Sequence, residues 1–386
     1  KLFINVSNSN HMLIVSGQTG KTNLLQTVIR SLALTYSPEE VNIYIIDFGS
    51  MILRNFAGLH HVGGVVCSYE DEKLKSLFRL LSEEVMARKT KFAEIGVSSY
   101  IAYKEAGYKD LPQIVVLIDN MTALKELYLQ DEDNLLPLCR DGVAVGVSFI
   151  IANLQTNGIG YRYLNNFYGR MTLFCNETSE YGIMFEGNRM KLPNVPGRAL
   201  VQIGKKAFES HIYLAFEGEK EFERVKEIQT FVEERNLVYA NQKAKVIPEI
   251  PKNLTEEYME ENYPQIQKKD HLVFGLDYTA VEPVVWNLFE KNMLIISGKK
   301  DSTKDLFARY VIRQFISKKV GESEVYIADS ISHKWSEFEF DENTPLTKFP
   351  GYTFYGCKSL KAFSMPDCFT RIDDVGTFTG CNNMTA

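Results

Sequence analysis

The sequence has little of what marks several protein classes. Its six cysteines form no CxxC pair and have no histidines at ligand spacing, which disfavours a zinc site and fits reduced thiols in the cytosol. No apolar run reaches the roughly 18 residues that a membrane-spanning helix needs, and no signal-peptide pattern opens the chain. Excess positive charge is also missing, because the net charge is −6. Nucleic acid is therefore disfavoured as the main partner.

The chain nevertheless has the composition of a folded protein. Its 386 residues are 45% hydrophobic and 24% charged, which is ordinary for globular domains. This length is large for one hydrophobic core, so two domains are expected. The opening segment "KLFINV" has the pattern of a strand interior rather than of a chain start. We therefore expect a longer protein, with a membrane anchor upstream of Lys1.

One pattern of strand, turn and helix occurs twice. "HMLIVSGQTGKTNLLQTVIRSLA" begins at His11, and "NMLIISGKKDSTKDLFARYVIRQF" begins at Asn292, about 280 residues later. "VNIYIIDFGS" and "SEVYIADSIS" are separated by nearly the same distance. A repeat of this length indicates duplicated domains. A polar, proline-containing stretch separates them, so we predict a first domain at residues 1–240, a linker at 241–270 and a second, shortened domain at 271–386.

Both domains are predicted to be α/β. Continuous apolar runs such as "IYIID" and "IVVLID" are typical of parallel strands that are buried on both faces, and helical stretches lie between them. Strand and helix alternate, which indicates a mostly parallel sheet.

The first turn contains the parts of a phosphate-binding loop. Such a loop needs glycines, so that backbone N–H groups can surround the phosphates, a lysine for the β/γ oxygens and a hydroxyl for Mg²⁺, all at a helix N-terminus. These parts are present between an apolar strand and a helix. We predict that ATP is held by Gly17, Gln18, Thr19, Gly20, Lys21 and Thr22, with Thr22 also a ligand of Mg²⁺.

The spacing of this loop departs from the motif. G-x-x-x-x-G-K-[ST] has two more residues than Gly17 to Lys21 supplies. Two interpretations remain open: a shortened loop, or a loop of ordinary length from which the sequence omits two residues. A third reading is an ordinary lysine-containing turn that binds no ligand.

Three polar residues follow buried strands and are predicted to act on the nucleotide. Asp119 ends the run "QIVVLID", where an aspartate would hold Mg²⁺. Asn120 stands where a catalytic glutamate would follow. An amide can position water but cannot take its proton, so we expect binding rather than fast hydrolysis. Gln155, after "VSFIIAN", is a candidate sensor of the γ-phosphate, and Arg170 and Arg198 are candidate arginines acting on an adjacent subunit.

The second turn, "SGKKDSTKD", is predicted to be degenerate. It keeps Gly298 but has no second glycine and no GK[ST] triplet. We therefore expect one nucleotide site per chain, in the first domain. The aromatic and basic stretch at residues 349–363 is a candidate pocket for a peptide partner.

Taken together, these motifs resemble the FtsK/SpoIIIE family of hexameric motor ATPases. The matching segments are "IVSGQTGKT", "IYIIDFGS", "IVVLIDNM", "GVSFIIANLQ" and a helix with the R-x-x-x-F-x-x-x-G-V pattern. The resemblance implies tandem P-loop NTPase domains of the RecA/FtsK type, the second of them degenerate, with ATP and Mg²⁺ as cofactors.

The tandem arrangement and the segment "FGLDYTAVEPVVWNL" are most similar to the EssC/EccC coupling ATPases of type VII secretion. That resemblance implies small helical-hairpin export substrates of the WXG type, hexamer formation with other subunits, and a location at the cytoplasmic face of the membrane within a secretion complex. Two alternatives stay open: a DNA-translocating motor of the same fold, and a scaffold that binds no nucleotide.

Overall fold

The computed structural model describes residues 5–7, 9–17, 19–128, 134–185, 190–251, 253–264, 271–277, 281–287, 304–318, 348–349 and 371–372. The chain divides into two compact units, one formed by residues 1–253 and 276–282 and the other by 254–275 and 283–386. Each unit is considered by itself below. No helix in these ranges combines the length and the apolar character that a membrane crossing requires.

The first unit is built on an eight-stranded sheet. Its strands are β1 (His11–Ile14), β2 (Val41–Asp47), β3 (Val62–Cys67), β4 (Gln113–Asp119), β5 (Val147–Asn153), β6 (Gly169–Thr172), β7 (Arg198–Ile203) and β8 (Lys206–His211). Their order in the sheet is β3-β2-β4-β5-β1-β6-β7-β8. The strands from β3 to β6 are parallel, and β7 and β8 form an antiparallel hairpin at one edge. The predicted mostly parallel sheet is confirmed.

Helices cover both faces of this sheet. They are α1 (Lys21–Thr35), α2 (Asp71–Ile95), α3 (Tyr100–Glu105), α4 (Met121–Tyr128), α5 (Leu135–Asp141), α6 (Tyr161–Leu164), α7 (Ser179–Met184) and α8 (Glu221–Val238). Alternate residues of each central strand point to opposite faces. Ile14 and Ile46 therefore pack into one hydrophobic cluster, while Leu13 and Ile45 pack into the other.

Helix α2 explains the R-x-x-x-F-x-x-x-G-V pattern in structural terms. Arg88 is buried, and its guanidinium donates to the carbonyls of Val145 and Gly146, just before β5 begins. Phe92, one turn later, stacks on Tyr103. The helix ends where Gly96 takes a left-handed conformation, with φ of 82°. The motif therefore fixes a helix on the sheet.

Part of the predicted linker packs against the first unit instead of lying free. The N–H of Ala244 donates to His60 O, and that of Ile247 donates to Gly63 O, so this stretch covers the β3 edge of the sheet. Its position leaves no room for a side chain at two positions of β3, because a Cβ at Gly63 would collide with Lys245 O and one at Gly64 with Ile247. The polar composition of the stretch gave no indication of this contact, which is made by the backbone.

The described part of the second unit is small. It contains α9 (Glu256–Asn262), β9 (His271–Leu276) paired with β10 (Pro283–Asn287), α10 (Lys304–Lys318), and the short parallel pair β11 (Lys348–Phe349) and β12 (Arg371–Ile372). Gln314 of α10 exchanges two hydrogen bonds with the backbone of Val273 in β9. The second loop at Gly298, the strands "MLIIS" and "VYIAD", and most of the predicted peptide pocket lie outside the described residues.

Candidate functional site

The predicted nucleotide residues lie at the carboxyl ends of the parallel strands. The chain leaves β1 at this edge and enters α1, then crosses to β2, three positions away in the sheet, while β6 lies on the other side of β1. Ligands of open α/β sheets bind where the direction of chain progression changes in this way. The strand order therefore puts a binding crevice directly above the end of β1.

The turn between β1 and α1 is held by local hydrogen bonds. Thr19 Oγ1 donates to Ser16 O, and Ser16 Oγ accepts from the N–H of Asn176 in the loop after β6. Gly20 has φ of 111°, a left-handed conformation that favours glycine. A Cβ at Gly17 would meet open space. Gln18 lies outside the described residues.

The N-terminus of α1 is prepared for an anion. No side chain caps it, and no acidic residue occupies its first turn. The first N–H groups of a helix have no partner inside the helix, and the helix dipole makes this end positive. Lys21 and Thr22 occupy that turn, so a phosphate group would meet backbone donors, an ammonium group and a hydroxyl together.

Lys21 and Asp119 form the central contact of the site. The ammonium nitrogen of Lys21 lies 2.5 Å from Asp119 Oδ1. The aspartate is fully buried at the end of β4, whereas 16% of the lysine side chain is exposed. Neither carboxylate oxygen accepts an aligned hydrogen bond from the described residues. The charge of Lys21 is therefore the main compensation for a carboxylate buried in the protein.

Burial raises the pKa of Asp119, and the neighbouring Lys21 charge opposes that rise. Gly49, in the loop after β2, packs directly against the carboxylate: a Cβ at this position would lie 2.7 Å from Asp119 Oδ2. Asp47, which ends β2, accepts from the N–H groups of Gly49, Met51 and Leu53 and so fixes this loop. The sequence did not reveal these roles of Asp47 and Gly49, although the segment "IYIIDFGS" matched a family motif.

Asn120 has a structural task that the sequence did not reveal. Its φ is 72°, a left-handed conformation in which asparagine is much better tolerated than glutamate. Its amide donates to Phe48 O at 3.2 Å and accepts from the N–H of Ala123 at 3.3 Å, at the start of α4. The amide therefore joins the β2 loop to α4, and a part for Asn120 in the nucleotide site stays a prediction.

Replacement of Asn120 by glutamate is expected to destabilise the fold by about 1–2 kcal/mol, because a longer side chain is strained at positive φ and the two hydrogen bonds are lost. Asn120→Asp is the matched control, since aspartate tolerates this conformation and still accepts from Ala123. Urea midpoints would measure both changes. A glutamate variant as stable as the wild type would show that the backbone here is not restrictive.

At the end of β5, the amide that forms hydrogen bonds within the site is that of Asn153, whereas Gln155 is the residue predicted. Asn153 Oδ1 accepts from the N–H and the hydroxyl of Thr122, and its Nδ2 donates to the carbonyl of Gln155. Gln155 itself is exposed in the following loop. Asn153 therefore ties the β5 loop to the helix after Asp119, while the role of Gln155 as a phosphate sensor stays a prediction.

The two candidate arginines already have partners within the first unit. Arg170 donates to the carbonyls of Ile183 and Met184 at the end of α7, and Arg198 forms an ion pair with Glu209 across the β7–β8 hairpin. Such contacts do not prevent action on an adjacent subunit, but they give both residues a structural role.

The donor set suits magnesium that is carried by a nucleotide. Among the described residues no group of three or more His, Cys, Asp or Glu side chains could hold a metal ion. Mg²⁺ in nucleotide sites takes one or two carboxylates together with phosphate oxygens and water. Asp119, whose only charged partner among the described residues is Lys21, and Thr22 fit that arrangement.

Comparison with known proteins agrees with this geometry. Residues 1–117 match the FtsK/SpoIIIE family. The ESX secretion system protein EccC of Geobacillus thermodenitrificans is 27% identical over 298 residues, which are 77% of this chain and 20% of that protein. The chain thus spans about a fifth of the length of this curated relative.

Solved structures show the same fold. EssC (ATPases 2 and 3) from Geobacillus thermodenitrificans has a TM-score of 0.74 at 26% identity, covering 81% of this chain and 60% of that one. Thermomonospora curvata EccC (ATPases 2 and 3), in complex with a signal sequence peptide, has a TM-score of 0.63 at 20% identity, covering 82% and 57%; at that identity the likeness shows the fold alone. The resemblance to FtsK/SpoIIIE domains and to EssC/EccC is confirmed.

Proposed function

We propose, from the match of residues 1–117 to the FtsK/SpoIIIE family and from the similarity to EccC of Geobacillus thermodenitrificans, that the first unit is a nucleotide-binding domain of a type VII secretion ATPase. It binds ATP with Mg²⁺ weakly and hydrolyses it slowly or not at all. The observation that carries the proposal is the contact between Lys21 and Asp119, which brings the lysine of the loop and the acidic strand end to one point above β1.

Each residue has a defined part in holding the nucleotide. The first-turn N–H groups of α1 and the Lys21 ammonium bind the phosphates, and the Thr22 hydroxyl and Asp119 serve the metal. Mg²⁺, when bound, supplies positive charge next to Asp119 and the phosphates.

Two features support weak binding and slow turnover. Lys21 has to leave a buried carboxylate before it can reach a phosphate, which offsets part of the binding free energy. No carboxylate follows Asp119, and the amide of Asn120 is engaged by Phe48 and Ala123. The residue that follows Asp119 therefore cannot serve as the base for the attacking water.

Lys21→Ala is expected to weaken Mg-ATP binding by about 100-fold or more, because it removes the charge on the β/γ-phosphates. Titration calorimetry of the purified chain would measure this loss. Lys205→Ala is the control, since Lys205 lies exposed in the turn between β7 and β8. Unchanged affinity in the Lys21 variant would remove the basis for the nucleotide site.

The remaining parts of the proposal rest on the similarity to EssC/EccC. We infer recognition of small helical-hairpin export substrates by the second unit, assembly with further ATPase subunits into hexamers, and attachment to a membrane secretion complex through upstream segments. The Thermomonospora curvata EccC structure, which has the same fold, is in complex with a signal sequence peptide. Binding of a labelled helical export-signal peptide to the whole chain tests it, and no binding at micromolar concentration would contradict it.

The two other candidate functions are less well supported. A DNA-translocating motor needs efficient hydrolysis and a basic surface, whereas Asn120 and the net charge of −6 favour neither. A scaffold without nucleotide gives no reason for a lysine to lie against a buried aspartate.

A further inference from the structure

The segment after β8 lies beside the first turn of α1. The last residue of β8, His211, pairs with Arg198, so the chain leaves the hairpin at the edge where β6 ends. Asn23, the third residue of α1, then holds this segment from both sides. Its Nδ2 donates to Tyr213 O at 3.0 Å, and its Oδ1 accepts from the N–H of Ala215 at 2.9 Å.

The residue between these two hydrogen bonds is an exposed leucine. Leu214 is 68% exposed and Tyr213 is 56% exposed, whereas Ala215 and Phe216 are buried in the core beside them. The Tyr213 hydroxyl lies 3.2 Å from Ser31 Oγ on the same helix. The Tyr213 ring thus runs along α1 away from its first turn, whereas Leu214 is presented outward on a backbone that the Asn23 amide fixes at the rim of the phosphate site.

The direction of a bound nucleotide follows from the order of the strands. Asp119 ends β4, on one side of β1, and the terminal phosphates with their metal belong on that side. The ribose and base must then extend toward the opposite side of β1, where β6, β7 and β8 lie. Leu214, which Asn23 holds beside the first turn of α1, is at the rim on that side.

We propose that Leu214 is the apolar side chain on which the ribose and base of the nucleotide rest, and that Asn23 positions it. This inference rests on the proposed function of the site and adds the part that distinguishes a nucleotide from a bare triphosphate. An aliphatic side chain contacts the face of a base and does not read its edge. ATP and GTP are therefore equally affected by changes at Leu214.

The test compares Mg-ATP with inorganic tripolyphosphate by titration calorimetry of the whole chain. Leu214→Ser should weaken ATP binding about three- to tenfold, the effect of losing one apolar contact, and leave tripolyphosphate binding unchanged. Asn23→Ala should act in the same direction. Leu127→Ser is the matched control, because Leu127 is 58% exposed on α4, on the Asp119 side.

The outcomes separate this inference from the proposed function. If Leu214→Ser leaves ATP affinity unchanged while Lys21→Ala abolishes binding of both ligands, the base surface is wrong and the phosphate site stands. If Leu214→Ser changes only the self-association of the chain, the surface is a contact between copies and the inference is wrong. A wild-type chain that binds neither ligand contradicts both.

Discussion

Replacing Arg88 by alanine is expected to lower the free energy of unfolding by about 3–5 kcal/mol, the largest stability change among the predictions made for this chain. Only 1% of the Arg88 side chain is exposed, and Glu84 faces its Nε at 2.8 Å. The variant would leave this carboxylate and two buried carbonyls without their charged donor, and a cavity would remain under α2.

Denaturant unfolding of the wild type and two variants measures this effect. Lys75→Ala is the control on the same helix, because the exposed pair of Lys75 with Asp71 should contribute less than about 1 kcal/mol. Arg88→Lys should also be strongly destabilising, since one ammonium group cannot replace the guanidinium on all of its acceptors. A loss below about 1 kcal/mol for Arg88→Ala would mean that α2 is held on the sheet by apolar contacts alone.

Asp119→Asn is expected to make ATP binding nearly independent of magnesium. In the wild type, Lys21 cannot turn to a phosphate without leaving a buried carboxylate uncompensated, and magnesium offsets that charge. Chelation of the metal should therefore weaken wild-type binding by about 100-fold, which corresponds to a few kcal/mol. In the variant Lys21 is free to move, so chelation should change affinity less than about fivefold.

The effect expected of Asp119→Asn on ATP affinity is opposite in sign to that of simply losing a metal ligand. Without magnesium, the variant should bind ATP more tightly than the wild type does. Because burial raises the pKa of Asp119, lowering the pH should also strengthen magnesium-free binding by the wild type, and not by the variant. If the variant instead binds ATP more weakly than the wild type at every metal concentration, Asp119 acts only as a metal ligand and its pairing with Lys21 is incidental.

Much of the fold of the first unit could be predicted from the sequence, because its signals are local. The strands ending at Asp47, Asp119 and Asn153 are mostly apolar and buried along their whole length, as expected of parallel strands covered on both faces. The apolar run of β1, just before the turn that contains Lys21, likewise indicates a buried strand that leads into the phosphate-binding loop. Burial on two faces leaves few other interpretations for such runs.

The details of the site could not be predicted, because they depend on residues that are distant in sequence. The carboxylate of Asp119, 70 residues away, leaves no room for a side chain at Gly49, and no residue near Gly49 in the sequence indicates that contact. The Asn120 amide is likewise held by the carbonyl of Phe48, just after β2. At residues 244–247 the polar composition suggested a free linker, whereas backbone hydrogen bonds to β3, which carry no side-chain signal, hold the segment in place.

A crystal structure of the chain with Mg²⁺ and a non-hydrolysable ATP analogue tests the central claim most directly. The account predicts phosphate density at the first turn of α1, with the Lys21 ammonium on a phosphate oxygen and no longer against Asp119, and with the metal between Thr22 and Asp119. Absence of the nucleotide from this turn at millimolar analogue, with the Lys21–Asp119 contact intact at 2.5 Å, would contradict it.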